Sequence, residues 1–285
     1  MGQAIGEVLT RGGSRVVTCL HGRGEQTRKR AAAAGMQNLP DYDTLVRTSD
    51  LILSVLAPAS AHAVAEQLAA AIERTGARPL VADCNAIAPQ TTRSIGQLLT
   101  SSGARFVDGG IIGPPPKWGA STTRLYLSGK DAQEVVQVAG EGLDIRVVGD
   151  EIGQASGLKM CYAALTKGLI ALSAEQQIAA AALGLSESLF HELEMSQPAL
   201  LTFMQRLIPD IPGKAHRFVG EMLEIGATFE AVGIPPGMMV GAAELYRLAA
   251  ESPTGIEGRR QDAVMQPMEA VVQALANRLS EPYQP

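Results

Sequence analysis

The sequence predicts an α/β domain with a parallel sheet over residues 1–150, followed by an all-helical domain over residues 151–285. Three observations carry that expectation. In the first half, short β-rich runs alternate with helix-like stretches through short loops, as in βαβ units. Beyond Gly149 no convincing strand follows, and the chain turns to Ala, Leu and Ile. Its 285 residues suffice for two domains of ordinary size, each able to bury a core.

The strand runs fall at residues 15–20, 51–56, 80–83, 105–108, 124–127 and 145–148. Several are apolar without alternation, as strands covered on both faces must be. Between them, residues 61–75 carry Val64, Leu68 and Ile72 at spacings of four, one face of a helix. Residues 90–99 follow Pro89, a good helix opener, and carry Ile95, Leu98 and Leu99. From 153 to 183 good helix formers run on as one unusually long helix. Further helices are expected at 186–195, 198–207, 214–232, 236–251 and 263–279, punctuated by Pro209, Pro212, Pro235 and Pro236.

Composition narrows the function. Hydrophobic residues make up 46% and charged residues 19%, which excludes a disordered chain. Lys and Arg number 24 against 29 Asp and Glu, a net charge of −5, so no basic surplus exists to neutralise a nucleic-acid backbone. Cys19, Cys84 and Cys161 form no CxxC pair, which argues against a disulfide framework or a structural zinc and fits a reducing compartment. No apolar stretch is long enough to span a membrane, and the first residues lack the layout of a signal peptide. A cytoplasmic α/β enzyme is the favoured class. His62, His191 and His216 have no partner at metal-ligand spacing.

The opening residues, Met-Gly-Gln-Ala-Ile-Gly-Glu-Val-Leu, read as a helix start with no strand before it. A Rossmann-type domain normally begins with its central strand and a Gly-x-Gly-x-x-Gly turn that seats a pyrophosphate on the helix N-terminus. Gly2 fits the third glycine, which places the strand and the first two glycines upstream of Met1. The next strand then ends at His21-Gly22-Arg23, where a domain specific for NAD has an acid. Arg23, with Arg28 near it, suits a 2′-phosphate, because guanidinium grips phosphate in a bidentate fork. NADP is therefore the expected cofactor, with NAD as the alternative. A solvated helix face is the other reading of the cluster with Arg28, Lys29 and Arg30.

Five segments, taken in order, resemble the β-hydroxyacid dehydrogenase superfamily, the relatives of 3-hydroxyisobutyrate and 6-phosphogluconate dehydrogenases. They are Met1-Gly2 with its helix; Arg23; residues 51–58 ending Ser-Val-Leu-Ala-Pro; Asp83-Cys84-Asn85 with Pro89; and Asp108–Gly113 together with residues 153–162. The resemblance implies an NAD(P)-dependent oxidoreductase that interconverts an alcohol and a carbonyl on a small polar substrate. It places Gly2, Arg23, Leu56, Ala57, Pro58 and Asn85 at the cofactor, and Gly110, Gly113 and Tyr162 at the substrate. Lys159 falls on the family's catalytic lysine. Such a group must take up the hydroxyl proton as hydride leaves, and desolvation can bring a lysine toward that task. The family implies a cleft between two domains and a homodimer formed through the helical one.

Departures from the family pattern bear on substrate and activity. The two Asn residues that follow the lysine in the family are Tyr162 and Ala163, and the family's substrate-loop Ser is Ile112. Pro114-Pro115-Pro116-Lys117-Trp118 forms a stiff loop after it, and Gly220 stands where the family has a cofactor lysine. An imine reductase is the runner-up, although those enzymes usually carry Asp or Tyr at the position of Lys159. A third reading is a catalytically incompetent, cofactor-free chain that lacks the pyrophosphate cradle.

Overall fold

The computed structural model describes residues 1–120, 122–260 and 263–280. The chain forms two compact units, Met1–Met160 and Cys161–Pro285. The sequence-based boundary at 150 falls earlier, just after the last strand.

The first unit opens with α1 (Gly2–Arg11), β1 (Val17–Cys19), α2 (Glu25–Ala33), β2 (Gln37–Leu39) and α3 (Tyr42–Thr48). It continues through β3 (Leu51–Ser54), α4 (Ala61–Thr75), β4 (Leu80–Asp83), α5 (Pro89–Ser101) and β5 (Arg105–Ile112). The last elements are β6 (Arg124–Ser128), α6 (Ala132–Ala139) and β7 (Asp144–Gly149), after which α7 (Gln154–Ala182) begins. All six strand runs read from the sequence are present. β2 was not expected, since three residues, two of them exposed, give no apolar run to detect.

Five strands form one sheet in the order β3-β4-β5-β6-β7. A wholly parallel sheet was expected, and β3–β4, β4–β5 and β6–β7 are parallel. β6 runs antiparallel to β5, with Asp108 opposite Ser128 and Ile112 opposite Arg124. The connection explains the reversal. A parallel neighbour needs a long crossover, usually a helix, and among the described residues no helix lies between Ile112 and Arg124.

β1 and β2 form a separate parallel pair. Among the described residues β1 pairs as a strand with β2 alone, and β3 with β4 alone. Both nevertheless lie between the same two apolar layers. Val17 packs in one layer with Ile52, Val81 and Phe106 under α3, α4 and α5. Val16 packs in the other with Leu51, Leu53, Leu80, Val107 and Leu127 under α1 and α6. β4 is buried along its whole length, the burial its unbroken apolar run implied.

Local chemistry sets the helix ends. Asp41 accepts a hydrogen bond from Thr44 N at 2.7 Å and caps α3. Pro89 opens α5. Gly76, at φ 67°, closes α4 with its N–H on Ile72 O. Within α5, Gly96 makes room for Phe106, since a Cβ there would lie 2.7 Å from the ring.

The second unit holds the rest of α7 and then α8 (Ser186–Ser196), α9 (Pro198–Leu207), α10 (Ile211–Glu230) and α11 (Gly237–Glu251). α12 (Pro253–Gly258) and α13 (Met268–Ala276) follow. No strand occurs there among the described residues, as expected. Its interior is built from Met204, Ile208, Ile211, Met222, Ile225 and Tyr246. The Tyr246 hydroxyl donates to Lys167 O at 2.7 Å, and its ring meets Phe218 edge-on at 5.1 Å. Lys167 pairs with Glu221 at 2.5 Å, both largely buried. Among the described residues no helix is long and apolar enough to cross a membrane.

Gly96→Ala tests the α5–β5 contact. Alanine favours a helix interior over glycine by about 1 kcal/mol, but overpacking a fixed ring costs roughly 1–3 kcal/mol. The ring is buried and cannot yield cheaply, so urea unfolding should show net destabilisation of about 1–2 kcal/mol. A more stable variant would mean that Phe106 is loosely held.

Candidate active site at the carboxyl ends of the strands

The site is built where α7 meets β5. The first N–H groups of a helix have no partner within it, and in α7 each finds one nearby. Gly153 N and Ser156 N donate to Asp108 Oδ2 at 2.9 and 3.0 Å. Ala155 N donates to Ser128 Oγ at 3.0 Å, and Gln154 N to Glu151 O at 3.3 Å. Asp108 Oδ2 also accepts from the hydroxyls of Ser156 and Ser128, at 3.1 and 3.0 Å. One carboxylate oxygen thus gathers four donors, while Oδ1 has no hydrogen-bond partner. Burial pushes the Asp108 carboxyl up, against the downward pull of Ser156, Ser128 and Gly153.

Beyond Asp108 the strand is shaped to receive the helix. A Cβ on Gly110 would lie 2.6 Å from Ala155 O and 3.0 Å from Lys159 Cβ. Gly109 faces the other way, where a Cβ would lie 2.7 Å from Cys84 Sγ. With no side chain at Gly110, α7 rests directly on the backbone of β5. Lys159, one turn past Ala155, then reaches Ile111 O with its Nζ at 2.5 Å. It is half-buried.

A second buried cluster ties together the ends of β3 and β4. Asn85 Nδ2 donates to Ser54 Oγ at 2.9 Å and to Asp83 Oδ2 at 3.0 Å. Its Oδ1 accepts from Leu56 N at 2.5 Å, and its own N–H donates to Asp83 Oδ1 at 2.9 Å. Asp83 and Asp108 are register partners on adjacent strands. Burial raises the Asp83 carboxyl to about 6, the Asn85 bonds lower it, and the Asp108 charge raises it further.

The residues expected at the site lie as follows. Gly2 lies beside Val55 at the end of β3, Arg23 is exposed after β1, and Ala57 and Pro58 lie on the loop leaving β3. Lys159 stands at the far end of β5. Asn85 is buried, with its amide on Ser54 and Asp83 and its Oδ1 accepting from Leu56 N. Gly110 lies under Ala155 and Lys159.

Gly113 is exposed at φ 123° and begins the loop to β6. That loop folds back, with Thr123 Oγ1 on Pro114 O and the Trp118 ring over Gly12 and Gly142, which leaves Lys117 exposed. Arg28 donates its Nε to Arg23 O at 3.1 Å. Tyr162 is exposed on the part of α7 in the second unit. Asp108, Ser128 and Ser156 were given no role from sequence. Their signal was an acid inside the apolar run Phe-Val-Asp-Gly-Gly-Ile-Ile, a costly placement unless donors await it. Among the described residues no group of His, Cys, Asp and Glu is arranged to hold a metal ion.

Residues 1–139 match the family described as the NAD binding domain of 6-phosphogluconate dehydrogenase, and residues 180–249 match a domain of unknown function, DUF1932. An uncharacterised 28.5 kDa protein of Methanothermus fervidus is 32% identical over 182 residues, covering 64% of this chain and 68% of that protein. A conserved hypothetical protein of Sinorhizobium meliloti 1021 has a similar solved structure, with TM-score 0.69 and 25% identity over 98% of this chain and 93% of the other. The 3-hydroxyisobutyrate dehydrogenase of Mycobacterium tuberculosis shares the fold, with TM-score 0.66 and 20% identity over 96% and 95% of the two chains.

Asp83 gives the fold a pH dependence of definite sign. An unfolded aspartate titrates near 3.9, so between about pH 4 and 6 the folded chain keeps a proton that the unfolded chain has lost. The stability Asp83 contributes is therefore present at pH 4 and is lost as the pH rises through about 6. Relative to Asp83→Asn, the unaltered protein should lose on the order of 2–3 kcal/mol between pH 4 and 7 in urea titrations. A difference that does not vary with pH would place Asp83 in water.

Proposed function

We infer, from the match of residues 1–139 to the family described as the NAD binding domain of 6-phosphogluconate dehydrogenase, that this chain has that family's cofactor-binding fold. From that premise we propose that it is an NADP-dependent oxidoreductase that interconverts an alcohol and a carbonyl on a small polar substrate. The observation that carries this reading is the placement of Lys159, whose Nζ is held on Ile111 O near the carboxyl end of β5. In open α/β sheets, ligands bind outside the carboxyl ends of the strands.

The cofactor, when bound, supplies or accepts the hydride. Arg23 would hold its 2′-phosphate, and the N-terminus of α1, which has no side-chain cap, would face its pyrophosphate. The chain's own chemistry rests on Lys159, which returns a proton to the carbonyl oxygen in reduction and takes it up in oxidation. Asn85 and Ser54 fix the floor of the loop at Leu56, Ala57 and Pro58 rather than touching the reacting groups.

A second reading, a chain that binds no cofactor, is favoured by Asn85, whose amide is spent on Ser54 and Asp83 inside the protein. A fluorescence titration with NADPH separates the two readings. Binding at micromolar NADPH removes the second reading, whereas no binding even at millimolar NADPH would establish it.

With binding in hand, NADPH oxidation is followed against aldehydes, ketones and cyclic imines. Lys159→Ala should lower turnover of the best carbonyl by about 10²-fold or more, with NADPH affinity little changed. Full turnover in that variant would sink the acid–base assignment, and a preference for imines would favour imine reduction.

The helical unit presents exposed Leu165, Leu172, Leu183 and Met238. Apolar residues in such number are covered in many proteins by a second copy. A homodimer is the proposed state, and light scattering at micromolar concentration should give twice the chain mass; a monomeric mass would contradict it.

A further inference from the structure

The assignment of Lys159 raises the question of what holds it in place. Lysine carries its ammonium on a flexible four-carbon stem, whose rotamers must be fixed before the charge has a place. Placing its Nζ on one carbonyl therefore requires a fixed backbone beneath it. Three contacts with β5 fix that backbone, and they occur in order along strand and helix. Asp108 holds the N–H groups of Gly153 and Ser156, Gly110 lies under Ala155 and Lys159, and Ile111 O receives Nζ.

We infer that Asp108 is a positioning residue for Lys159, setting the register of α7 on β5 through the first turn of the helix. The inference rests on the proposed role of Lys159. The geometry of the carboxylate argues for register rather than simple helix capping. An N-cap on the chain itself would satisfy the same donors and leave the helix at liberty to slide. Asp108 instead belongs to the strand, 45 and 48 residues away in sequence from the groups it accepts. All its bonds to α7 converge on one oxygen, so a slip of one residue would exchange the donors and take Ala155 O and Lys159 Cβ off the gap left by Gly110. Ser128, on the next strand, repeats the arrangement with Ala155 N, so two strands grip one helical turn.

The arrangement also explains a buried acid kept at a cost. Four donors on one oxygen and the positive end of the helix dipole favour the charged form. Burial opposes it. An apolar residue at 108 would spare the desolvation but leave Gly153 N and Ser156 N buried without acceptors.

The test needs neither cofactor nor substrate, so a failure of the oxidoreductase reading leaves it intact. Each lysine is acetylated with a limiting N-hydroxysuccinimide ester, and the rates are read by peptide mass spectrometry. Lys167, largely buried in the second unit, and exposed Lys117 serve as internal controls. In Asp108→Asn the Lys159 rate should rise at least threefold toward that of Lys117, with Lys167 and Lys117 unchanged and the circular dichroism native. If Lys159 stays as slow as before, or Lys167 rises in step with it, the positioning role is wrong. Should Asp108→Asn fail to fold, Ser156→Ala and Ser128→Ala decide. Each removes one donor, and each should give a smaller rise confined to Lys159. No rise in either folded variant would overturn the inference.

Discussion

The architecture of the first unit depends on one buried carboxylate. Asp108 lies at the point where β5 stops being a partner of β4 and becomes a partner of β6. Its side chain brings together β5, Ser128 of β6, and the start of α7. A charge in that setting is tolerable only because donors are delivered to it by two other elements, β6 and the start of α7. Each neighbouring choice follows from that demand. Gly109 and Gly110 strip the strand of side chains so that Cys84 on one face and α7 on the other can close in. Ser128 and Ser156 are small hydroxyls that reach the acid without displacing the apolar layers.

A second acid, Asp83, ends the neighbouring strand and serves the loop beyond β3. Through Asn85 it fixes Leu56 N and Ser54 Oγ, so the loop is held from beneath. The two carboxylates stand in register, and the Asp108 charge makes ionisation of Asp83 harder. Their donors differ in kind. Asp108 is met chiefly by backbone N–H groups at a helix end and by hydroxyls, whereas among the described residues Asp83 is met by Asn85 alone. Burial raises both carboxyls.

Much of the fold was legible because burial on both faces leaves a plain signature. β4 reads Leu-Val-Ala-Asp with no polar alternation, and α4 repeats its apolar residues at fours; both appear at the boundaries expected. β2 was silent because a three-residue edge strand with two exposed side chains carries no pattern. The antiparallel turn into β6 was missed for another reason. A strand's own composition does not report its direction, which only the connection decides.

The site was legible in its positions and illegible in its roles. Lys159 and Asn85 were both singled out from motifs, yet one extends to the end of a strand while the other is consumed inside the protein. Sequence cannot distinguish these outcomes, because an amide that binds a ligand and one that clasps a loop present the same atoms. The partners decide, and for Asn85 they are Ser54, Asp83 and Leu56, drawn from two strands and a loop. The same reasoning applies to the glycines. Gly110 was singled out from a motif as a substrate-site residue, and in the structure it makes room for the helix that carries Lys159. A residue with no side chain is then a constraint on where Lys159 sits, because any atom added at Gly110 would push against the backbone of Ala155 and the Cβ of Lys159. The position of the amine is set from below by what β5 omits as much as by what Asp108 supplies.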